Sequence, residues 1–258
     1  MSTTEQHAQQ AQDISDEVAA RMAVDPTAHG EDPRALAFAA AYPEVPIPPS
    51  GPVNTAPIML TPSTGYDALW RSIDPELRSR ANDVHLPISA AYAARLCDAY
   101  PQADRDLVLV AIILHDTGWA HVDQSRLISE GFRGSGDWRK ELIRFEHEVH
   151  GCAVARRVLS ALGYDRDFIA RVCEIIDGHD TRHVAYSLED ALVRDADRLW
   201  RFDGPGIALS TQWTGMEVTG YMDHVEALYV PELITEAAVQ IARNDLARHR
   251  GLLRTSRI

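Results

Sequence analysis

The chain has 258 residues, a formal net charge of −13 at pH 7 and 45% hydrophobic residues, which allow one large globular domain with a sizeable core. The negative charge argues against a nucleic-acid backbone or an anionic membrane surface as the main partner. A small anionic substrate is still compatible, since it responds only to the local field in its cleft. Cys97, Cys152 and Cys173 lack paired spacing and are interpreted as buried thiols. Because no apolar run has the length of a membrane span and no signal peptide opens the chain, a cytoplasmic location is expected.

Residues 1–62 are predicted to form a polar, Pro-rich tail and arm ahead of a helical domain over 63–258. The first 25 or so residues are polar and rich in Ala and Gln, a composition that allows a weakly amphipathic helix. Half of the prolines lie between Pro43 and Pro62, which favours extended, polyproline-like backbone. The arm has the character of a segment that wraps a neighbouring surface. A homo-oligomer in which it packs on another subunit is left open.

The remainder of the chain is predicted to be all-α, because its apolar residues recur at helical spacing without strand-like alternation. Asp165 is a predicted helix cap, and Ser187 is predicted to open a capping box. Gly/Pro-rich loops are expected at 131–136 and 203–206. The predicted helices cover about 66–81, 83–100, 104–115, 137–162, 165–179, 187–199 and 223–249.

The segment Leu107–Asp116 carries the strongest chemical signal. Its apolar run leads directly into His115 and Asp116, and Thr117-Gly118 then breaks it. A buried helix that ends in an imidazole beside a carboxylate must satisfy both groups, because an unpaired buried charge is costly. A divalent metal would do so, since both groups are good ligands for borderline cations.

This His-Asp doublet resembles that of the HD-domain superfamily. His85 stands on the preceding helix, where the family has its first histidine, and Asp195-Ala-Asp197-Arg-Leu matches the family's terminal D-A-D-R-L segment. His147 lies in an H-x-x-x-G-type helix, and His179 follows the next helix. The resemblance covers about residues 80–202 and implies an HD-type helical bundle. As metal ligands it implies His85, His115, Asp116 and Asp197, joined by His147 and His179 if two metals bind.

Several alternatives stay open within this reading. His147 and His179 could instead surround a single metal as substrate-contacting groups, and His150 competes with His147 as a ligand. An Arg near the metal is as consistent with a structural ion pair as with substrate binding. The remaining histidines are expected to be ordinary surface or half-buried residues: His7, His29, His121, His183, His224 and His249.

The groups expected around the metal come from the same stretches. Asp195 or Glu146 is the candidate to manage the proton, and Asp180 could orient a ligand or a water. Arg198 is the candidate for a substrate phosphate or carboxylate. Further candidate cations and pocket-lining aromatic residues are Arg133, Lys140, Arg144, Trp119, Trp138 and Trp200.

Two activities share these ligands. The first is a metal-dependent hydrolase that acts on a small phosphorylated substrate, a phosphate ester or a nucleotide, through a metal-activated water. Its cofactor would be Mn, Fe, Zn, Co or Mg. The second is a mixed-valent di-iron oxygenase that cleaves a C–C or C–P bond of a small polar substrate. A lyase or hydratase fits the same residues. A degenerate sensor or scaffold is disfavoured, because no ligand position is missing.

Overall fold

The computed structural model describes residues 3–59, 65–127 and 141–255. These residues contain twelve α-helices and no β-strand, which confirms the predicted all-α class; one isolated parallel bridge joins Ile47 and Thr235. In the same ranges, no helix combines the length and the apolar character that crossing a bilayer requires. The helices are α1 Thr3–Met22, α2 Ala28–Glu31, α3 Pro33–Ala41, α4 Asp67–Ser72, α5 Asn82–Ala99, α6 Arg105–Leu114, α7 Leu142–Ala161, α8 Arg166–Ile176, α9 Leu188–Leu199, α10 Gly204–Thr214, α11 Val218–Tyr229 and α12 Glu236–Thr255.

Helix α6 is the centre of the molecule. All residues from Leu107 to Leu114 are buried, and the helix packs against α5, α8 and α9. A helix that is apolar on every side is stable only inside a core. The Asp104 side chain caps its start by accepting from the Leu107 amide at 3.1 Å. The other end of α6 therefore delivers the following residues into the protein interior.

Local capping signals place the next helices as predicted. Asp165 accepts from the Phe168 amide at 2.8 Å at the start of α8, and the Ser187 side chain accepts from the Asp190 amide at 3.2 Å at the start of α9. Helix α8 ends at Ile176, three residues before His179, because Gly178 takes a left-handed conformation with φ of 85°. This glycine turns the chain so that His179 faces back into the protein.

Three predicted stretches differ from the structure. The single helix over 223–249 is two helices, α11 and α12, separated at Pro231, because proline cannot continue the hydrogen-bond ladder. The expected loop at 203–206 is the first turn of α10, where Pro205 needs no amide partner. The 66–81 helix is α4 followed by a 3-10 turn over Asp74–Arg78. The Gly131–Gly136 loop and the first four residues of the predicted 137–162 helix lie outside the described residues.

The N-terminal region packs on the helical core at several points. Val18 of α1 and Ile47 of the arm are both buried. The Ile47 amide donates to the Ile234 carbonyl at 2.8 Å, and the Ile47 carbonyl accepts from the Glu236 amide at 2.9 Å and from the Tyr100 hydroxyl at 2.6 Å. The arm is thus fixed through its backbone as well as by apolar burial. A domain boundary near residue 62 stays a prediction.

Candidate metal centre

The six residues expected to hold metal come together in the interior, although they arise from five separate parts of the chain. His85 lies in the second turn of α5, and His115 and Asp116 directly follow α6. The others come from α7, from the turn after α8 and from α9. All six side chains are buried: His85, His115, Asp116, His147, His179 and Asp197.

The first group surrounds the Nε2 atom of His85. This atom lies 3.2 Å from His115 Nε2, 3.2 Å from Asp116 Oδ2 and 3.3 Å from Asp197 Oδ1. His115 Nε2 in turn lies 3.4 Å from Asp197 Oδ1. Two imidazoles and two carboxylates therefore direct their ligand atoms at one small volume. This donor set suits a borderline divalent cation.

The second group uses the other oxygen of Asp116. Asp116 Oδ1 lies 3.5 Å from His179 Nε2 and 3.6 Å from His147 Nε2, and these two nitrogens are 3.4 Å apart. His85, His115 and Asp116 of the first group, and all three residues of the second, satisfy the geometric requirement that ligand atoms lie close enough to share an ion. Asp116 belongs to both: its Oδ2 lies nearest His85, and its Oδ1 lies near the second group and also 3.6 Å from His115 Nε2.

The hydrogen bonds of the imidazoles fix which ring nitrogen is free. His115 Nδ1 lies 2.7 Å from the Ile112 carbonyl, and His179 Nδ1 lies 2.8 Å from the Ile176 carbonyl. A carbonyl can only accept, so each Nδ1 carries hydrogen, and in the neutral ring the lone pair is on Nε2. These Nε2 atoms face other nitrogens and carboxylate oxygens. So many acceptors in one buried volume require a positive charge between them, from a metal ion or from a proton on an imidazole.

The ionisation states of His85, His147 and Asp116 are those of metal ligands. Burial lowers the pKa of His85 and of His147, so both are neutral at pH 7. Burial opposes the charge of Asp116, but His115 and the Arg80 guanidinium outweigh it and hold its pKa well below the usual range. Burial also disfavours protonated His179, yet its hydrogen bond to Asp116 and nearby acidic groups raise its pKa to about 9. A metal at the second group must therefore displace a proton from His179.

Residues 84–201 match the family model of the HD domain, and this range contains all six clustered residues. This match supports membership of the HD-domain superfamily for residues 84–201. Comparisons with curated proteins and with solved structures gave no match. The family and the geometry agree that the buried His/Asp cluster could hold a divalent metal.

The His-Asp segment of this HD domain is held in place by residues just ahead of α5. Asn82 Nδ2 donates to the Asp116 carbonyl at 2.9 Å, and Ser79 Oγ donates to the Trp119 carbonyl at 3.0 Å. Arg80 contacts Asp116 Oδ2 at 3.2 Å, and its guanidinium lies 4.5 Å from the Trp119 ring centroid. Arg80 and Ala81 both have positive φ, 54° and 55°, which is unfavourable for side chains with a Cβ. That backbone conformation directs Arg80 into the site.

Trp119 contacts both groups of the cluster. Its Nε1 donates to Asp116 Oδ1 at 2.9 Å, and its ring stacks on His147 with centroids 4.1 Å apart. Gly118 allows this approach, because a Cβ at that position would lie 1.8 Å from the His147 carbonyl oxygen. Trp200 occupies a comparable position on the other side, with its ring 4.6 Å from that of His85. Both tryptophans that the structure describes near the cluster therefore pack against candidate ligands.

Glu148 orients the turn that carries His179. It is fully buried and accepts from the amides of Asp180 and Thr181 at 2.9 and 3.0 Å and from the Thr181 hydroxyl at 2.7 Å. Asp180 in turn pairs with Arg144, and its Oδ2 lies 3.7 Å from His147 Nε2. The residue that follows His179 is thereby held at the edge of the second group.

The three residues expected to be catalytic point elsewhere. Glu146 pairs with Arg126 at 2.9 Å. Both Asp195 oxygens accept from the chain just before α12, through the amides of residues 234 and 235 and the Thr235 hydroxyl. Arg198 donates to the Arg194 carbonyl and contacts Glu232. None of the three hydrogen-bonds or ion-pairs with a candidate ligand in the described structure, so their contacts give the expected roles no support.

Helical rotation explains these differences. Successive α-helical residues are about 100° apart, so Asp195 lies about 200° around α9 from Asp197, and Arg198 lies about 100° from it. The residue that shares the face of Asp197 is four positions on, at Arg201, whose Nη1 lies 3.6 Å from Asp197 Oδ1. The i, i+4 spacing between Asp197 and Arg201 predicts their contact from the sequence. No such spacing predicts the contact of Arg80 with Asp116, since the position of Arg80 depends on a left-handed turn.

The other candidates from the sequence lie outside the cluster or outside the described residues. His150, the competing ligand, stacks on His121 with ring centroids 5.7 Å apart and joins neither metal-binding group. Arg144 does reach the cluster, through Asp180. The candidates outside the described residues are Arg133, Trp138 and Lys140.

Proposed function

We propose that this protein is a metal-dependent HD-domain hydrolase that acts on a small phosphorylated substrate, either a phosphate ester or a nucleotide. One observation carries the proposal: two buried groups of candidate ligands share Asp116, and the Nε2 atoms of their imidazoles are directed at each other within each group. Adjacent divalent ions suit phosphoryl transfer to water, because they stabilise charge on both the entering and the leaving oxygen.

The chain's own residues divide between two ions in this proposal. His85, His115, Asp116 and Asp197 would hold one ion, and Asp116, His147 and His179 the other. Bound metal would supply a Lewis acid for the phosphoryl oxygen and would lower the pKa of a water toward neutrality. Arg80 contacts Asp116 Oδ2 and the Trp119 N–H donates to Asp116 Oδ1, so both oxygens of the shared carboxylate are held in place.

Asp180 is a further carboxylate next to the candidate ligands, 3.7 Å from His147 Nε2. Burial opposes its ionisation, but Arg144, His179 and His147 outweigh burial and lower its pKa. An ionised carboxylate only accepts hydrogen bonds, so Asp180 would orient a water or a substrate hydroxyl and would not act as a general acid. We assign it this role in place of Asp195 and Glu146.

A di-iron oxygenase that cleaves a C–C or C–P bond is the second candidate. The second group favours it, because His147 and His179 lie on Asp116 Oδ1 where another iron would need them. The hydrolase needs the same residues with metals that act as Lewis acids without changing oxidation state. The two proposals therefore differ in metal identity and substrate, and the protein ligands are common to both.

The deciding experiment is metal analysis on protein purified without added metal, with EPR on the same sample and a phosphate-ester screen. The hydrolase predicts Mn, Zn, Co or Mg, no coupled mixed-valent signal, and release of inorganic phosphate from at least one ester. Two irons per chain with a coupled signal and no phosphate release would replace the hydrolase by the oxygenase. Absence of retained or acquired metal would remove the basis of both.

A further inference from the structure

Three carboxylates around the candidate metal groups each have an arginine partner: Asp116, Asp180 and Asp197. Arg80 lies 3.2 Å from Asp116 Oδ2, and Arg144 forms a short ion pair with Asp180. The third pair, between Arg201 and Asp197 Oδ1, is the longest at 3.6 Å. Arg201 is therefore the arginine that its carboxylate holds least tightly.

Arg201 keeps hydrogen-bonding capacity in this position. Within 3–59, 65–127 and 141–255, the one hydrogen bond of its guanidinium runs from Nη1 to the Asp197 carbonyl at 2.9 Å. A guanidinium carries five N–H donors. Its side chain is 13% exposed, so the group is close to the cluster and still reaches accessible space. The remaining donors can meet a ligand there.

Besides Asp197, no carboxylate of the described residues forms an ion pair with this guanidinium, and aromatic rings lie beside it. Its Cζ lies 5.0 Å from the Tyr229 ring centroid and 5.8 Å from that of Trp200. Trp200 is the same ring that packs on His85. Ring faces attract a cation and orient it without occupying its N–H donors. The result is an oriented cationic donor beside His85 and Asp197.

We propose that Arg201 is the residue that binds an oxyanion of the substrate at this centre. The planar fork of a guanidinium matches two oxygens of a phosphate or a carboxylate, which a lysine cannot reproduce. The inference rests on the proposed function for the statement that the oxyanion belongs to a substrate. It replaces Arg198, whose guanidinium is directed at Glu232 and the Arg194 carbonyl.

The test is calorimetric titration of the metal-containing protein with inorganic phosphate, and with acetate in a parallel series. The variants are Arg201→Gln, Arg201→Lys and Arg198→Gln, each with its metal content and melting temperature measured. We expect Arg201→Gln to weaken phosphate binding at least about tenfold and Arg201→Lys to lie between it and the wild type. Arg198→Gln, a buried arginine one turn earlier, should keep the wild-type affinity. A parallel loss for acetate extends the site to any oxyanion, and a loss for phosphate alone restricts it to phosphate.

Wild-type phosphate affinity in both Arg201 variants overturns the inference, and so does an equal loss in Arg198→Gln. If Arg201→Gln loses metal, Arg201→Lys is the variant that tests the inference, because it keeps a positive charge beside Asp197. Wild-type phosphate affinity in Arg201→Lys then overturns the inference. The proposed function fails separately, through a wild-type protein that releases no phosphate from esters. In that case, weaker phosphate binding by the Arg201 variants still supports the oxyanion site.

Discussion

Asp116 is the residue whose replacement tests the metal centre most directly, because it alone belongs to both candidate groups. Asp116→Asn keeps the size of the side chain and removes its charge. Its Oδ2 lies 3.2 Å from His85 Nε2, and its Oδ1 lies 3.5 and 3.6 Å from the Nε2 atoms of His179 and His147. One substitution therefore removes an anionic ligand from two groups at once.

The magnitude follows from the ligand count. Changes in residues that only support metal ligands cost about 10–100-fold in affinity, so loss of a ligand should cost at least about 100-fold, or about 2.8 kcal/mol, at each group. The second group has no other carboxylate among its members, and Asp116→Asn leaves it two neutral imidazoles. We expect that group to lose its metal completely on desalting and the first group to lose most of it.

The assay is elemental analysis after desalting, together with calorimetric titration of the metal-free protein. Asp245→Asn is the matched control, because Asp245 is also a buried carboxylate, held by Tyr92 and Arg248 at 2.6 Å each, on α12 away from the cluster. It should destabilise the fold and leave metal content unchanged. Wild-type stoichiometry and affinity in Asp116→Asn would refute the shared-ligand reasoning.

Three further predictions separate the parts of the structure. His147→Ala should halve the metal content, whereas His150→Ala, one turn away and outside both groups, should leave it intact; unchanged content in both would indicate a single metal. Because the pKa of His179 is raised to about 9, metal binding at the second group should release one proton between pH 7 and 8, and the metal affinity should rise about tenfold per pH unit up to pH 9. Calorimetry in buffers of different ionisation enthalpy measures this proton release. Zero proton release would contradict the assignment of His179 as a ligand. Ile47→Ala should lower the free energy of unfolding by about 2–5 kcal/mol, because the Ile47 side chain is 2% exposed. The control Val45→Ala, at a residue that is 68% exposed, should change it by less than about 0.5 kcal/mol. Equal melting temperatures for the two variants would show that the arm is not part of the core.

The parts that sequence predicted well depend on local signals. Helix α6 follows from an unbroken apolar run, and the starts of α8 and α9 follow from Asp165 and Ser187, whose side chains cap the next turn. The set of clustered residues came from the order of motifs along the chain. That order survives in the structure because each motif stands at or near the end of a helix that packs against α6 or its neighbours.

The parts that sequence missed depend on rotation and on unusual backbone. Adjacency to Asp197 in the sequence favours Arg198, whereas the arginine that contacts the Asp197 side chain is Arg201, because a helix brings together residues four apart. Arg80 enters the site because Arg80 and Ala81 both have left-handed backbone conformations. Neither residue is a glycine, so the sequence carries no signal for this turn. The burial of Ile47 depends on a backbone pairing with residues 234–236, nearly 190 positions away. Distant pairing of this kind has no local pattern.

The arginines also explain how a chain with a net charge of −13 is compatible with an anionic substrate. Arg80, Arg144 and Arg201 each face one carboxylate of the cluster, so these three pairs contribute no net charge. Two divalent cations would then give the cluster a local excess of positive charge inside an otherwise acidic protein. Charges beyond a Debye length of about 8 Å at physiological ionic strength are screened, so a bound oxyanion would respond mainly to the cluster. Binding of inorganic phosphate should therefore require bound metal. Equal phosphate affinity with and without metal would show that the arginines alone attract the phosphate.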